Sequence, residues 1–272
     1  MNREYIYYIN GEWVTSSRAR IPFNDAGFLY GDGLFETMRF DNGKIFFPLK
    51  HIARLIKSLK IINLKIKKSQ DGILNLLKTV INKNRLNAGI IRLIITRGCI
   101  DKNDPGIYIS IKPFYKIPKA PVKVVYFKES DFPIIRFTPA IKSMNYLGNI
   151  LAKQETNKMN AFEPIFYNNN SIITECAIRN IFYIKKNKLL TPSLDLGILS
   201  GVMRDSIINI AKDMGISVKE IHINLDEVNS MDEAFLSSTG IGLLECHWDN
   251  WTSHYYITQQ IKKELFKRIN NN

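Results

Sequence analysis

Polar and apolar residues alternate at the start of the chain. Residues 5–9 read as a strand, Asn10-Gly11 as a two-residue turn and 12–14 as the returning strand. Asn-Gly tolerates the positive φ angles that a tight hairpin requires. A second alternating run, 35–40, leads through Asp41-Asn-Gly43 to residues 44–47 and predicts another hairpin. The period then lengthens. Residues 48–60 put Ile52, Leu55, Ile56 and Leu59 on one helical face, and a second helix is predicted over 71–84. Residues 90–96 and 107–112 are short apolar runs of the kind that form buried strands, and Gly31-Asp-Gly33 predicts a turn.

Pro113, Pro118 and Pro121 interrupt this pattern, since proline can continue neither a helix nor a central strand. Residues 113–121 are therefore the expected linker between a small domain, 1–112, and a larger one, 122–272. The second half predicts strands at 122–127 and 134–138, then a helix from beyond Lys142 to about Lys158. Two hairpins follow, pairing 164–167 with 172–174 and 181–184 with 188–190. A helix after Gly201 should close at Gly215, where glycine suits a left-handed cap. Residues 217–223 read as extended, 225–230 as a short helix, 234–238 as a strand and the chain beyond Thr258 as a helix. Strands interspersed irregularly with helices indicate an α+β class.

Composition narrows the function classes. The chain has 272 residues, 45% hydrophobic and 23% charged, which is ordinary for a soluble globular protein. No apolar run is long enough to span a bilayer, and the first residues lack the apolar core of a signal peptide. Cys99, Cys176 and Cys246 are too few and too scattered for a disulfide framework or a zinc site, so a cytoplasmic, metal-free protein is expected. The net charge of +13 raises the question of nucleic acid. The lysines are spread along the chain with no reader motif, so neither nucleic acid nor membrane is an expected partner. That charge can still steer an anionic substrate.

Candidate chemistry centres on Lys142, which follows an extended, β-branched stretch and precedes a helical one. Glu175 stands 33 residues downstream. A lysine able to form an imine, with a carboxylate able to hold a pyridinium, is what pyridoxal phosphate chemistry requires. The N–H groups of Gly201, Val202 and Met203 open a helix and suit an anion. Gly31-Asp-Gly33 lacks the further glycine or Lys-Ser/Thr of a nucleotide loop, and the histidines show no metal-ligand spacing.

The segments Ile141-Lys-Ser-Met-Asn-Tyr-Leu147, Thr174-Glu-Cys-Ala-Ile-Arg-Asn-Ile-Phe182 and Leu199-Ser-Gly-Val-Met-Arg204 resemble the class IV, fold type IV, pyridoxal-phosphate enzymes. The similarity runs from Gly31-Asp-Gly-Leu-Phe-Glu-Thr37 to Ser237-Ser-Thr239. It implies a two-domain α+β fold with a small N-terminal α/β domain and a larger pseudo-barrel domain. It also implies that Lys142 is the Schiff-base lysine and that Glu175 lies beside the pyridine nitrogen. Arg54, Gly201, Val202, Met203 and Thr239 match the phosphate site. Asn180 matches a supporting position or is a satisfied turn residue. Tyr146 either meets the phenolic oxygen or belongs to the core. The family implies a homodimer, with residues 97–104 closing the partner's site.

Within the family the matches divide. Thr96-Arg97-Gly98 is followed by Lys102-Asn103-Asp104, where D-amino-acid aminotransferases carry an Arg-x-His carboxylate trap. Phe35-Glu-Thr-Met-Arg39 departs from the Phe-Glu-Gly-Ile-Arg of branched-chain enzymes, although Arg92 resembles their pattern. Residues 191–204 most resemble aminodeoxychorismate lyases, yet the Gly/Arg-rich segment of many lyases is absent and the sequence after Thr239 departs from the family. The first expectation is a 4-amino-4-deoxychorismate lyase that eliminates pyruvate to give 4-aminobenzoate for folate synthesis. The alternative is a branched-chain or D-amino-acid aminotransferase. Phe35, Arg39, Arg92 and Arg97 are the substrate-side candidates.

Overall fold

The computed structural model describes residues 3–100, 102, 104–114 and 116–271. It divides into two compact units, residues 1–116 with 141–145, and residues 117–140 with 146–272. The segment carrying Lys142 thus belongs to the first unit, while the chain on either side of it belongs to the second.

The first unit contains β1 (Ile6–Ile9), β2 (Glu12–Thr15), α1 (Ala26–Tyr30), β3 (Gly33–Asp41), β4 (Lys44–Ile45), α2 (Pro48–Ile61), α3 (Gln70–Asn84), β5 (Ala88–Cys99) and β6 (Asp104–Pro113). Its six strands form an antiparallel sheet in the order β2-β1-β6-β5-β3-β4. Strand alternation sends Leu34, Met38, Phe40, Leu93, Ile95, Ile109 and Ile111 into one core with Ile52 and Leu55 of α2 and Ile73 and Leu77 of α3. Phe35, Thr37 and Arg39 therefore occupy the other face, in register with Ile94, Arg92 and Ile90 of β5.

A short helix, not among the predicted elements, precedes Gly31-Asp-Gly33. The Asp25 carboxylate accepts from Gly27 N at 2.7 Å and starts α1, which ends where Gly31 takes φ 69°. The strand expected over 44–47 stops at Ile45, because Phe47 turns to φ 50° to enter α2.

The second unit contains β7 (Val122–Lys128), α4 (Leu147–Lys158), β8 (Glu163–Tyr167), β9 (Ile173–Cys176), β10 (Asn180–Lys185), β11 (Lys188–Pro192), α5 (Val202–Asp213), β12 (Val218–Ile221), β13 (Glu233–Ser238), β14 (Gly242–His247) and α6 (Tyr256–Asn271). A curled eight-stranded sheet runs β12-β11-β10-β13-β14-β7-β8-β9, with parallel pairs at β11/β12, β14/β7 and β7/β8. The strand expected over 134–138 does not form. Pro133 and Pro139 bound that run and remove the N–H groups a ladder would need. Residues 225–230 form a 3₁₀ helix under an Asn224 capping box, and β14 was not signalled by any alternation. At the end of β14, Trp248 and Trp251 stack with centroids 3.9 Å apart and planes 3° from parallel, with Tyr126 edge-on to Trp248 at 5.4 Å. Trp13 lies in the first unit, 5.1 Å from Tyr8.

Candidate active site

In the first unit, Lys142 is held by its backbone. Phe35 N donates to Lys142 O at 3.0 Å, Met144 N donates to Gly33 O at 3.0 Å, and Ser143 bridges Leu34 in antiparallel fashion. Residues 142–144 therefore extend along β3 as a short added strand. The Lys142 amine stands 4.6 Å from the centroid of the Phe35 ring, and the Arg92 guanidinium carbon stands 4.4 Å from the same centroid. Phe35 is buried and Arg92 is exposed. An amine, an apolar ring and a guanidinium thus share one face of the sheet, where the ring quadrupole favours both cations.

Arg39 lies two residues along that face from Thr37. Its guanidinium covers the Phe114 ring at 4.0 Å and pairs with Asp41 at 3.7 Å. Arg97 is placed differently. It bonds Asp32 through Nε at 2.5 Å and Ile62 O at the end of α2 at 3.0 Å, so it is not gathered with Phe35 and Arg92. Of the segment 97–104, residues 101 and 103 lie outside the described residues.

Arg54, expected at the phosphate, is held by a buried acid. Glu36 accepts from Arg54 Nε at 2.8 Å and Nη2 at 2.6 Å, and lies 2.7 Å from His51 Nδ1. Burial alone would push the Glu36 carboxyl up. The Arg54 charge and the bonds from His51 and Arg54 outweigh it and hold the group down at about 2. His51 is shifted below its ordinary value, mainly by burial and further by the Arg54 and Lys142 charges. The imidazole is neutral at pH 7, and facing an ionised carboxylate it carries its proton on Nδ1.

In the second unit, Glu175 sits on β9 with its side chain mostly buried. One oxygen takes a charge-assisted bond from Arg136 Nη1, and the other accepts from Leu199 N at 3.3 Å. Asn180, at the start of β10, donates to Leu199 O at 3.1 Å. It also closes on Gly201, where any Cβ would come within 2.0 Å of Asn180 Oδ1. Gly201 is the N-cap of α5, and no side chain caps that helix. The first N–H groups of α5, at Val202 and Met203, therefore form an anion-suited terminus placed by Asn180. Thr239 is buried at the turn after β13. The Tyr146 hydroxyl donates to Ala177 O at 2.6 Å, joined there by Asn149 Nδ2 at 2.8 Å.

Each unit by itself carries groups of the kind pyridoxal phosphate needs: in the second, a fixed carboxylate suits a ring nitrogen and a glycine-capped helix terminus suits a phosphate, and in the first, a pinned lysine suits an aldehyde. Sequence reasoning did not single out Glu36, Glu129 or Arg136. Glu36 had a usable signal, an acid on the strand face that otherwise carries Leu34, Met38 and Phe40. Arg136 had none, because its partners Glu129 and Glu175 meet it only in the folded unit.

The family model of class IV aminotransferases matches residues 33–247. The D-alanine aminotransferase of Listeria monocytogenes is 34% identical over 86% of this chain and 83% of its own length. The branched-chain amino acid aminotransferase of Escherichia coli is 26% identical with a TM-score of 0.87, covering 98% of this chain and 95% of that one. A structure from Legionella pneumophila, provisionally named 4-amino-4-deoxychorismate lyase, is 26% identical with a TM-score of 0.85, covering 93% and 96%.

Proposed function

This chain belongs to the class IV aminotransferase family, and on that premise we propose that it transfers the amino group of a carboxylate-bearing amino acid. The family is pyridoxal-phosphate dependent, so the protein is a pyridoxal-phosphate enzyme. When bound, the cofactor supplies an aldehyde carbon and an electron-withdrawing ring. Lys142 would hold the cofactor through its amine and, once released by the incoming amino group, would take the proton that leaves the substrate α-carbon. Glu175 would accept a hydrogen bond from the ring nitrogen and so keep it protonated. Arg54, with the N–H groups of Val202 and Met203 at the Gly201 terminus, holds the phosphate, and Thr239 adds a hydroxyl. Tyr146 borders the ring, and Asn180 sets the loop before α5.

The observation that carries this reading is the Phe35 ring shared by the Lys142 amine and the Arg92 guanidinium. A substrate carboxylate on Arg92 brings its amino end toward Lys142, and Phe35 keeps water from the space between. Arg39 is a second carboxylate contact on the same face. The curated relative named above, an amino-acid aminotransferase, supports amino transfer.

A lyase is the second reading, favoured by residues 191–204 and by the Legionella structure. Here the same lysine proton transfer ends in loss of pyruvate from aminodeoxychorismate. Protein loaded with pyridoxal phosphate should absorb in the near-visible, and Lys142→Ala should lose that band. A colourless loaded wild type would sink both readings. Conversion of the bound cofactor to its pyridoxamine form by D-alanine or a branched-chain amino acid indicates the aminotransferase. Pyruvate release without a keto-acid acceptor indicates the lyase.

The protein acts as a homodimer in the cytoplasm on this reading. Exposed Ile21, Phe23, Phe28 and Tyr30 supply an apolar surface for a second copy, and the three cysteines form no disulfide. Among the described residues no helix is long and apolar enough to cross a membrane.

A further inference from the structure

Glu175 and Asn180 stand on β9 and β10, and among the described residues no ladder joins those two strands. In the sheet order β13, β14, β7 and β8 lie between them. Along the chain only residues 177–179 connect them. Both side chains nevertheless meet one residue. Leu199 N donates to Glu175 Oε2 at 3.3 Å, and Leu199 O accepts from Asn180 Nδ2 at 3.1 Å. Two residues further on, Gly201 opens α5. The turn 177–179 therefore sets how far the acid of β9 stands from the terminus of α5, and whatever holds the turn holds both.

That grip comes from Glu163, the first residue of β8, which is fully buried. Its Oε1 accepts from Ile178 N at 2.8 Å, and its Oε2 accepts from Arg179 Nη1 and from Lys153 Nζ at 3.1 Å. One carboxylate thus fixes a backbone N–H and the side chain of the next residue, immediately before Asn180. The turn is pinned beside it as well. Cys176 N donates to Arg179 O at 3.0 Å, and Ala177 N donates to the O of Pro164, the neighbour of Glu163, at 3.3 Å. The Arg179 guanidinium carbon and Lys153 Nζ stand 4.4 and 4.7 Å from the Phe162 ring centroid, which holds both cations at the carboxylate. A buried acid is costly unless its charge is met. An apolar residue here would fill the core without that cost, but it would leave Ile178 N without its acceptor and the turn unheld.

We propose that Glu163 is a positioning residue: by clamping the turn 177–179 it sets the spacing between Glu175 and the α5 terminus, and so fits the site to a ligand that reaches both. A site that must match a ligand at two points tolerates little slack between them. Glu163 acts through Glu175 and Asn180 and not on the ligand itself. The inference rests on the reading that Glu175 meets the ring nitrogen and the α5 terminus meets the phosphate.

The test compares two ligands on the full chain freed of cofactor. Pyridoxamine phosphate reaches both ends of the site and makes no covalent bond to a lysine, and it is titrated by fluorescence. Inorganic phosphate reaches the α5 terminus alone, and it is titrated by its ³¹P resonance. Glu163→Gln sets an amide donor against the donors of Arg179 and Lys153. It is expected to weaken pyridoxamine phosphate about tenfold while inorganic phosphate stays within about twofold of wild type. Arg179→Met leaves Ile178 N on Glu163 and carries the test if Glu163→Gln does not fold. It should show the same selectivity, with pyridoxamine phosphate about threefold weaker. A merely structural role would weaken both ligands in parallel, or lower the unfolding temperature with neither affinity changed. Either result in a folded variant overturns the inference. Gly201→Ala examines the underlying reading separately and should weaken both ligands. If it moves neither, the phosphate is not held at α5, and the inference falls with that reading.

Discussion

Glu36 shows how one buried acid can organise a site. It lies on the apolar face of β3, where an isolated charge would be costly, and Arg54 and His51 together meet that cost. Glu36→Gln keeps the volume but leaves the Arg54 charge poorly matched. The expected loss is about 3 kcal/mol in urea unfolding, with pyridoxal phosphate affinity about tenfold weaker by fluorescence titration if Arg54 holds the phosphate. The acid limb of the stability curve follows from the same residues. The folded Glu36 carboxyl is held at about 2 against an ordinary 4.5, so the unfolded chain takes up its proton first. That stabilisation is complete above pH 4.5 and is lost as pH falls toward 2. The lowered His51 acts in the same sense from its ordinary 6.5 downward, because the unfolded imidazole protonates while the folded one stays neutral. Stability should therefore decline steadily from pH 6.5 into acid, and Glu36→Gln should flatten the part below pH 4.5. A wild-type curve level between pH 6.5 and 3 would contradict this account.

At the scale of elements, two glycines make the positions of α5 and of β5 testable. A methyl at Gly201 would lie 2.0 Å from Asn180 Oδ1, so Gly201→Ala must displace Asn180 or the first turn of α5. Cofactor affinity should fall at least about tenfold with the fold retained, measured by equilibrium titration beside circular dichroism. Gly98 carries φ 82° at the irregular end of the β5/β6 pair, and its Cβ would lie 1.8 Å from Asp104 O. Gly98→Ala should cost about 2 kcal/mol or more, read as a lowered urea midpoint. Much of this scaffold was legible in the chain. The apolar stripe of Ile52, Leu55 and Leu59 marked α2, and Asn10-Gly11 and Asp41-Asn-Gly43 marked their hairpins, because local periodicity and turn chemistry dictate them. The errors have equally physical causes. β14 is buried along almost its whole length, so it shows no alternation to read. The run at 134–138 has strand propensity, but the prolines at 133 and 139 bound it and it pairs with no strand, and propensity without a partner does not make a strand. Asp25 could have revealed α1, since an aspartate before a short apolar run is an N-cap signal that the glycines obscured. For the site, the lysine and the acid of β9 could be named from their motifs, whereas the Arg136 that pairs with that acid lies 39 residues before it and meets it only after folding.

For the whole molecule, association is the first test. Phe23 and Phe28 are 80% and 61% exposed while their rings lie 5.8 Å apart, a large apolar investment at the surface. Sedimentation at micromolar concentration should give a dimer, and Phe28→Asp should shift it to monomer without changing the far-ultraviolet spectrum. A wild-type monomer active on its own would refute the dimer. The stacked pair of Trp248 and Trp251 has a separate consequence. Chromophores this close and this nearly parallel couple electronically, and they account for two of the three indoles in the chain. Their exciton signal reports the second unit alone, while in a Trp248→Phe, Trp251→Phe variant the remaining indole emission is that of Trp13 and reports the first. The protein thus carries two native optical labels, one per unit, and its unfolding can be timed half by half without attaching a dye.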